Sequence, residues 1–483
     1  MAKEIAISVW PYFCSPSRGK SGNGCGSLHF RWLPETSDDS VSSSGYAPKT
    51  GCARVTCVTP RMTLVALCSL LSISFAHAQR RPVEAAFAAV PFQQWVAEGA
   101  KAELPWHPRI IAPKLTLHQR IAVQVEVELD GKELVKRCCG GQAVALVEIN
   151  DEQGRIYRNY GGKDLKDVTP GTSEYNVSIS WQIFLLPGEY TATIAFYYSG
   201  RNAHSLTTQR VHIGSLKHEP LPGSWRDLPA VEFCDPQPEG LDAFLMPNIA
   251  GRLHLPAKAS RQIHLEILEN VTPYPSERRR PSLYTDRLGV FLPILKTFGQ
   301  LEIENGTVGV SLLEFTRRRV IFEQQDIEKG QISWTNLKDA MAANSVTAVD
   351  VHDLAQGERF GEFFRSEMER RLDEAGGGGG MRVFVVISGP MDLGTRMPVE
   401  VVPPAGDNFA VFYLRCDFLR TSAIVKQTPF FAGPVERSGQ NMERLEDGVG
   451  KALRKLKPRV FPVDSAQGVR EAIATILSDT SRM

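Results

Sequence analysis

Hydrophobic and polar positions alternate along Leu115–Leu129, where Ile121, Val123, Val125, Val127 and Leu129 are separated by Ala122, Gln124, Glu126 and Glu128. A period of two is the mark of a strand with one buried face, and Asp130-Gly131 then supplies a turn. Ala143–Ile149 reads as another strand, with its hairpin partner Arg155–Tyr160 beyond the polar turn 150–154. Tyr175–Leu186 and Glu189–Tyr198 flank Pro187-Gly188, and Ser205–Ile213 closes the series. Short strands, frequent turn signals and no helical period predict an immunoglobulin-like β-sandwich over residues 115–214. Tyr190 is expected to pack its ring into this core and bond its hydroxyl to backbone. His204 and His212 are expected to face solvent.

The period changes beyond Arg252. Ile263–Leu268 reads as a strand, and Leu288, Phe291, Leu292, Leu295 and Phe298 fall at helical spacing. Thr307–Phe315 is a second strand with an antiparallel partner over Arg317–Gln324. A short helix follows over Trp334–Ala343, with Thr335 as its N-cap, and then a strand over Val346–Val351. Phe360–Ala375 is an amphipathic helix, and Gly376–Gly380 a loose helix-to-strand loop. Met381–Pro390 is a nearly continuous apolar run, rich in β-branched residues, as suits a strand buried on both faces. Asn408–Cys416 and Arg459–Val463 are further strands. Helices are predicted over Met442–Leu456 and Ala466–Leu477, the latter capped by Asp464-Ser465. This alternation predicts a doubly wound, Rossmann-like α/β domain over residues 252–483. Residues 79–114 and the proline-rich 215–251 are read as linkers.

The first hundred residues carry a different signal. Residues 1–61 are polar and rich in Gly and Ser, and are expected to be an unfolded extension or a product of start-codon choice. Residues 62–78 combine an apolar run with Ala76-His77-Ala78, a small-x-small pattern. They read as a secretory signal peptide cleaved before Gln79, which places the mature chain outside the cell or in the periplasm, with no stable transmembrane segment. Five of the nine cysteines precede that cleavage point, leaving Cys138, Cys139, Cys234 and Cys416. One of the vicinal pair can bridge to Cys234 in an oxidising compartment, or all four remain thiols. A net charge of +1 gives no electrostatic case for nucleic acid.

Strand–helix alternation with a short antiparallel excursion over Val310–Phe322 resembles the von Willebrand factor A fold across Gln262–Ser478. The resemblance implies a divalent metal where the strand order reverses, held by an Asp-x-Ser-x-Ser run, a Thr and a further Asp. The positions matching those ligands are Glu269, Thr272, Thr316 and Ser388. Val271 and Pro273 offer no oxygen where the serines belong. A shift of one residue aligns Asn270, Thr272 and Tyr274, all neutral. One carboxylate is little charge for Mg²⁺ or Ca²⁺, so the expectation is a site without a working metal and a chain without a cofactor.

Three functions are open at this point. The first is noncovalent recognition of another protein or of a cell-surface component, through loops 269–280, 316–319 and 388–396, with Arg278–Arg280 and Arg317–Arg319 as basic clusters. The second is a secreted hydrolase using Ser388 or the Asp350/His352 pair, although the G-x-S-x-G elbow is missing. The third is carbohydrate binding by an exposed strip of Tyr160, Tyr197 and Tyr198.

Overall fold

The computed structural model describes residues 14–16, 82–137, 141–165, 172–173, 175–234, 249–272, 282–327, 331–344, 359–375, 380–391, 393, 399–404, 406, 408–417 and 447–483. The chain divides into two compact units, Pro16–Phe92 and the remainder, and the larger holds both a sandwich and an α/β lobe. The fold is rich in β-structure and built from several sheets.

The sandwich begins earlier than its alternation suggests. Strand β1 (Trp106–Leu115) runs antiparallel to β2 (Ile121–Asp130), so residues read as a linker form a sheet edge. Pro108 and Pro113 hid it, because proline lacks the N–H of a paired strand but is tolerated at an edge. Strand β2 buries its alternate residues as the sequence predicts. The polar Asp130-Gly131 site is followed by a short helix, α2 (Gly131–Arg137), coming after α1 (Phe92–Glu98).

The next strands are β3 (Gln142–Asp151), β4 (Ile156–Asp164), β5 (Tyr175–Leu185), β6 (Gly188–Tyr198) and β7 (Ala203–Ile213). One sheet orders β5, β2 and β1, with β8 (Val231–Phe233) and the three-residue strand Cys14–Pro16 pairing with β5. The other orders β7, β6, β3 and β4, with Lys101–Ala102 outside β7. Both are antiparallel, and Val127, Val147, Ile183 and Ile194 meet in a shared core. Strand β8 therefore ties the proline-rich linker into the sandwich. The Tyr190 hydroxyl donates to the Leu186 carbonyl at 2.9 Å, as expected.

In the second lobe, β9 (Leu255–Ala257) pairs with β11 (Leu301–Ile303) as a small parallel ribbon. The main sheet contains β10 (Ile263–Asn270), β12 (Gly306–Glu314), β13 (Arg319–Ile327), β14 (Met381–Ser388), β15 (Phe409–Cys416) and β16 (Arg459–Val463). Their spatial order is β13, β12, β10, β14, β15, β16, with only the β12–β13 pair antiparallel.

Successive side chains point to opposite faces of a strand, so a strand covered on both sides must be apolar throughout. Val383, Val385 and Ile387 join a core with Phe291, Leu295 and Phe298 of α3 (Ser282–Phe298), Leu337 and Met341 of α4 (Trp334–Ala343), and Ile473 of α7 (Ala466–Arg482). Phe384 and Val386 face the other way, against Phe364, Met368 and Leu372 of α5 (Phe360–Ala375) and Leu453 of α6 (Gly448–Leu453). Thr335 is not the cap of α4; Ser333 occupies that position without a side-chain cap bond. Ser465 does cap α7, accepting from Gly468 N at 3.2 Å. Of the predicted helix over Met442–Leu456, the described part is α6 and one 3₁₀ turn, Arg454–Leu456. The strand predicted over Val346–Val351 lies outside the described residues, as do Gly376–Gly379.

The lobes are joined through the β1–β2 turn. Leu117 leaves the sandwich and is buried in the α/β core. Beside it the fully buried Arg470 of α7 donates to both carboxylate oxygens of Glu219, at 2.9 and 2.8 Å, and to Ser224 Oγ at 2.6 Å. Its guanidinium lies 4.7 Å from the Trp225 ring centroid, and Trp225 Nε1 donates to the Gln119 carbonyl at 2.8 Å. Cation–π stacking and a bidentate ion pair together answer a charge that would otherwise be costly to bury. Arg470→Ala should lower unfolding stability by about 3 kcal/mol, since it strips Glu219 and Trp225 of their partner. Urea unfolding checks this, and an unchanged midpoint would remove the junction's structural role.

Candidate functional site

Strand β10 pairs in parallel with β12 on one side and β14 on the other. The next strand of this sheet after β10 is β12 on one side, and after β14 it is β15 on the other, the reversal of strand order at which doubly wound sheets open a ligand crevice. Of the four residues proposed from the sequence, Thr272 and Ser388 are linked here through Asn270, while Thr316 bonds to Glu314.

Glu269 is the exception. It lies level with Leu312 and Ile387, both in the core against α3, so its side chain points away from Asn270 and the strand-end crevice. It is fully buried, and neither carboxylate oxygen has a hydrogen-bond partner. Burial pushes its carboxyl up from the ordinary 4.5 to about 8. Strand alternation turns Glu269 toward the hydrophobic core and away from Asn270, so it is not brought together with Thr272 and Ser388.

Asn270 takes the central place instead. Its Nδ2 donates to Ser388 Oγ at 2.9 Å, and its Oδ1 accepts from Thr272 N at 3.0 Å. Ser388 Oγ in turn donates to the Gly389 carbonyl at 2.8 Å. Thr272 Oγ1 accepts from Phe315 N at 2.7 Å, which ties the end of β10 to the end of β12. One residue further on, Thr316 Oγ1 donates to Glu314 Oε1 at 2.9 Å, while Arg319 Nε donates to Glu314 Oε2 at 3.0 Å. All of Asn270, Thr272, Glu314, Thr316 and Ser388 are buried.

A hard dication needs six or more oxygens carrying several negative charges. Here the oxygens are engaged in hydrogen bonds with neighbouring groups, and the carboxylate of Glu314 is paired with Arg319. The residues present therefore do not fit Mg²⁺ or Ca²⁺. Among the described residues no three His, Cys, Asp or Glu side chains cluster as metal ligands. The sequence reading missed Glu314, although a lone acid in the apolar run Val308–Phe315 was a usable signal.

The basic cluster Arg317–Arg319 is less available than its sequence suggests. Arg317 and Arg319 each donate to the Asn344 carbonyl at 2.7 Å, closing the carboxyl end of α4. The cluster Arg278–Arg280 lies outside the described residues. So do Asp350 and His352, which leaves the proposed hydrolytic relay without described partners for Ser388. Ser388 itself is fully buried.

On the sandwich, Tyr160 and Tyr198 are buried, so the three tyrosines do not make an exposed platform. Tyr197 sits 5.6 Å from Trp95, and its hydroxyl donates to Asn202 Oδ1 at 3.3 Å. His204 does not face solvent; it is buried and stacks on Trp95 at 4.2 Å. His212 is exposed beside Glu189. Cys234 and Cys416 are buried thiols, and Cys138 and Cys139 lie outside the described residues.

No known family's sequence profile matches the chain, and no curated protein matches it. Two crystal structures of a glycosyl hydrolase family 2 member from Bacteroides cellulosilyticus align at 10% identity and a TM-score of 0.15. They cover 67% and 59% of this chain, which spans 40% and 34% of theirs. That similarity is too low to carry an argument about fold or activity. Among the described residues no helix is long and apolar enough to cross a membrane.

The raised Glu269 carboxyl gives a signed expectation. The folded state holds its proton more tightly than the unfolded chain, so its contribution is full below about 4.5 and is lost as pH rises towards about 8. Glu269→Gln should match the parent near pH 5 and exceed its stability above pH 8 by on the order of 3 kcal/mol. Thermal melts at both pH values check it; parallel profiles would mean that Glu269 is not buried as a neutral acid.

Proposed function

We propose that the chain is an exported recognition protein, an immunoglobulin-like sandwich joined to a von Willebrand factor A-like lobe, which binds another protein or a cell-surface component noncovalently. The observation that carries this reading is the commitment of the strand-end polar groups to one another. Asn270, Thr272 and Ser388 bond internally, and no activated nucleophile stands among the described residues at this edge. What this edge offers a partner is its rim.

The A-like part of the reading draws on the sheet. A central first strand, parallel neighbours on both sides and a single antiparallel strand at one edge are the arrangement that the family resemblance implies. The export part draws on residues 62–78 and their cleavage pattern. A secreted hydrolase and a carbohydrate-binding sandwich are the weaker readings, given a buried, hydrogen-bonded Ser388 and two buried tyrosines.

Arg318 sits at the β12–β13 turn, half-buried, with a left-handed backbone (φ 50°). Arg318→Glu should weaken adsorption of the labelled chain to bacterial envelope preparations about tenfold, which is ~1.4 kcal/mol. EDTA should leave adsorption unchanged. Adsorption abolished by EDTA would mean metal-dependent adhesion. Turnover of ester or glycoside chromogens that disappears in Ser388→Ala would make the chain a hydrolase.

A further inference from the structure

The amino edge of the same sheet has a different character. There the starts of β15 and β16 and the end of α7 enclose a groove of about 450 Å³. Phe409, Phe412 and Leu456 give it apolar lining, and Lys457, Arg459 and Arg482 line it together with one acid, Asp479. We propose that this groove docks an acidic, partly apolar segment of a protein partner, at a surface separate from the strand-end rim.

Three observations converge on it. The first is charge. Five cations fall within Lys451–Arg459. Glu400 engages Arg454 and, at 3.0 Å, Lys455, whose hydrogen bonds hold its carboxyl below the usual range. Asp479 serves both Arg459 and Arg482, the latter at 4.0 Å. Lys457 has no carboxylate partner among the described residues, so the rim keeps a net positive charge.

The second observation is backbone strain at that lysine. Lys457 is left-handed, at φ 50° and ψ 54°, where its N–H closes the 3₁₀ turn onto Arg454 O at 3.1 Å. This conformation is unfavourable for any residue with a Cβ, and a following proline restricts it further. Pro458 is that proline. Glycine would close the turn at lower cost. A charged side chain held in a strained position on the rim of a groove points to a use for the charge.

The third is the adjoining sheet edge. Strand β16 pairs only with β15 among the described residues, and it begins at Arg459 on the groove's rim. Val460 beside it is 43% exposed. An unpaired strand edge presents backbone donors and acceptors that an extended peptide can meet, with Pro462 limiting the pairing at one position. Nucleic acid and lipid headgroups have no counterpart to that edge. An apolar slot flanked by a few cations also suits alternating acidic and aliphatic side chains better than a polyphosphate.

The probe is a fluorescein-labelled peptide of alternating glutamate and leucine, followed by anisotropy with the full chain and compared with its lysine-for-glutamate counterpart. The acidic peptide should bind, weaken with salt, and lose about tenfold in affinity in Lys457→Gly and in Arg482→Glu. Lys457→Arg should restore it. Lys457→Gly should melt at or above the parent temperature, which separates lost binding from lost folding. Arg318→Glu should leave this binding unchanged, so failure here is distinct from failure at the strand-end rim. No binding, equal binding of the basic peptide, indifference to Lys457→Gly, or binding only to phosphatidylglycerol vesicles or an oligonucleotide would each overturn the proposal.

Discussion

Burial of β10 and β14 on both faces is the constraint from which the rest of the α/β lobe follows. Ile263, Leu265 and Ile267 enter one core and Leu268 the other, while Val383 to Ile387 divide in the same way. Water does not reach this layer, so a polar group inside it must be answered by protein. Glu266 is answered by the buried Arg371 of α5, whose own pKa burial lowers to about 10. Asn270, Thr272 and Ser388 answer one another. Glu269 has no such partner and takes the other course open to a buried acid, which is to keep its proton.

The junction between the lobes obeys the same rule at larger scale. Leu117 brings the β1–β2 turn into the second core, and this exposes the turn's carbonyls to a dry surface. Arg470 and Trp225 supply the donors that surface needs, with Gln119 O receiving Trp225 Nε1. A second buried pair, Arg120 with Glu232, stands nearby, and Glu232 also accepts from Gly251 N at 3.2 Å. A Cβ at Gly251 would sit 2.8 Å from that carboxylate and 2.9 Å from Pro229 Cδ, so any larger residue would force these groups to shift. The linker that sequence reads as a stiff spacer is therefore part of the contact.

Much of this was legible in the sequence wherever the period of burial was regular. The β2 alternation and the apolar run of β14 gave their strands directly, and Phe364, Met368 and Leu372 marked the inner face of α5. Legibility failed where a local signal and the tertiary context disagree. Pro108 and Pro113 argue against a strand unless it is known to be an edge. The position of His204 depends on Trp95, more than a hundred residues away. At the site, residue types alone pointed to Glu269 because it is the charged group. Facing is what separates it from Thr272 and Ser388, and facing depends on which of two adjacent residues a parallel partner places inward.

The two ends of one sheet thus hold their polar groups in opposite ways. At the carboxyl end, an asparagine, a threonine and a serine bond to one another and close the strand ends from within. Closing them with neutral groups avoids the large desolvation cost that several carboxylates would incur there without a cation. At the amino edge of β15 and β16 the charge is kept and lies at the surface, where solvation makes it cheap to hold. An unmatched lysine in a strained turn is costlier than a glycine in the same place. That difference sets the amino edge, where charge is left over, apart from the closed end, where the polar groups are spent on one another.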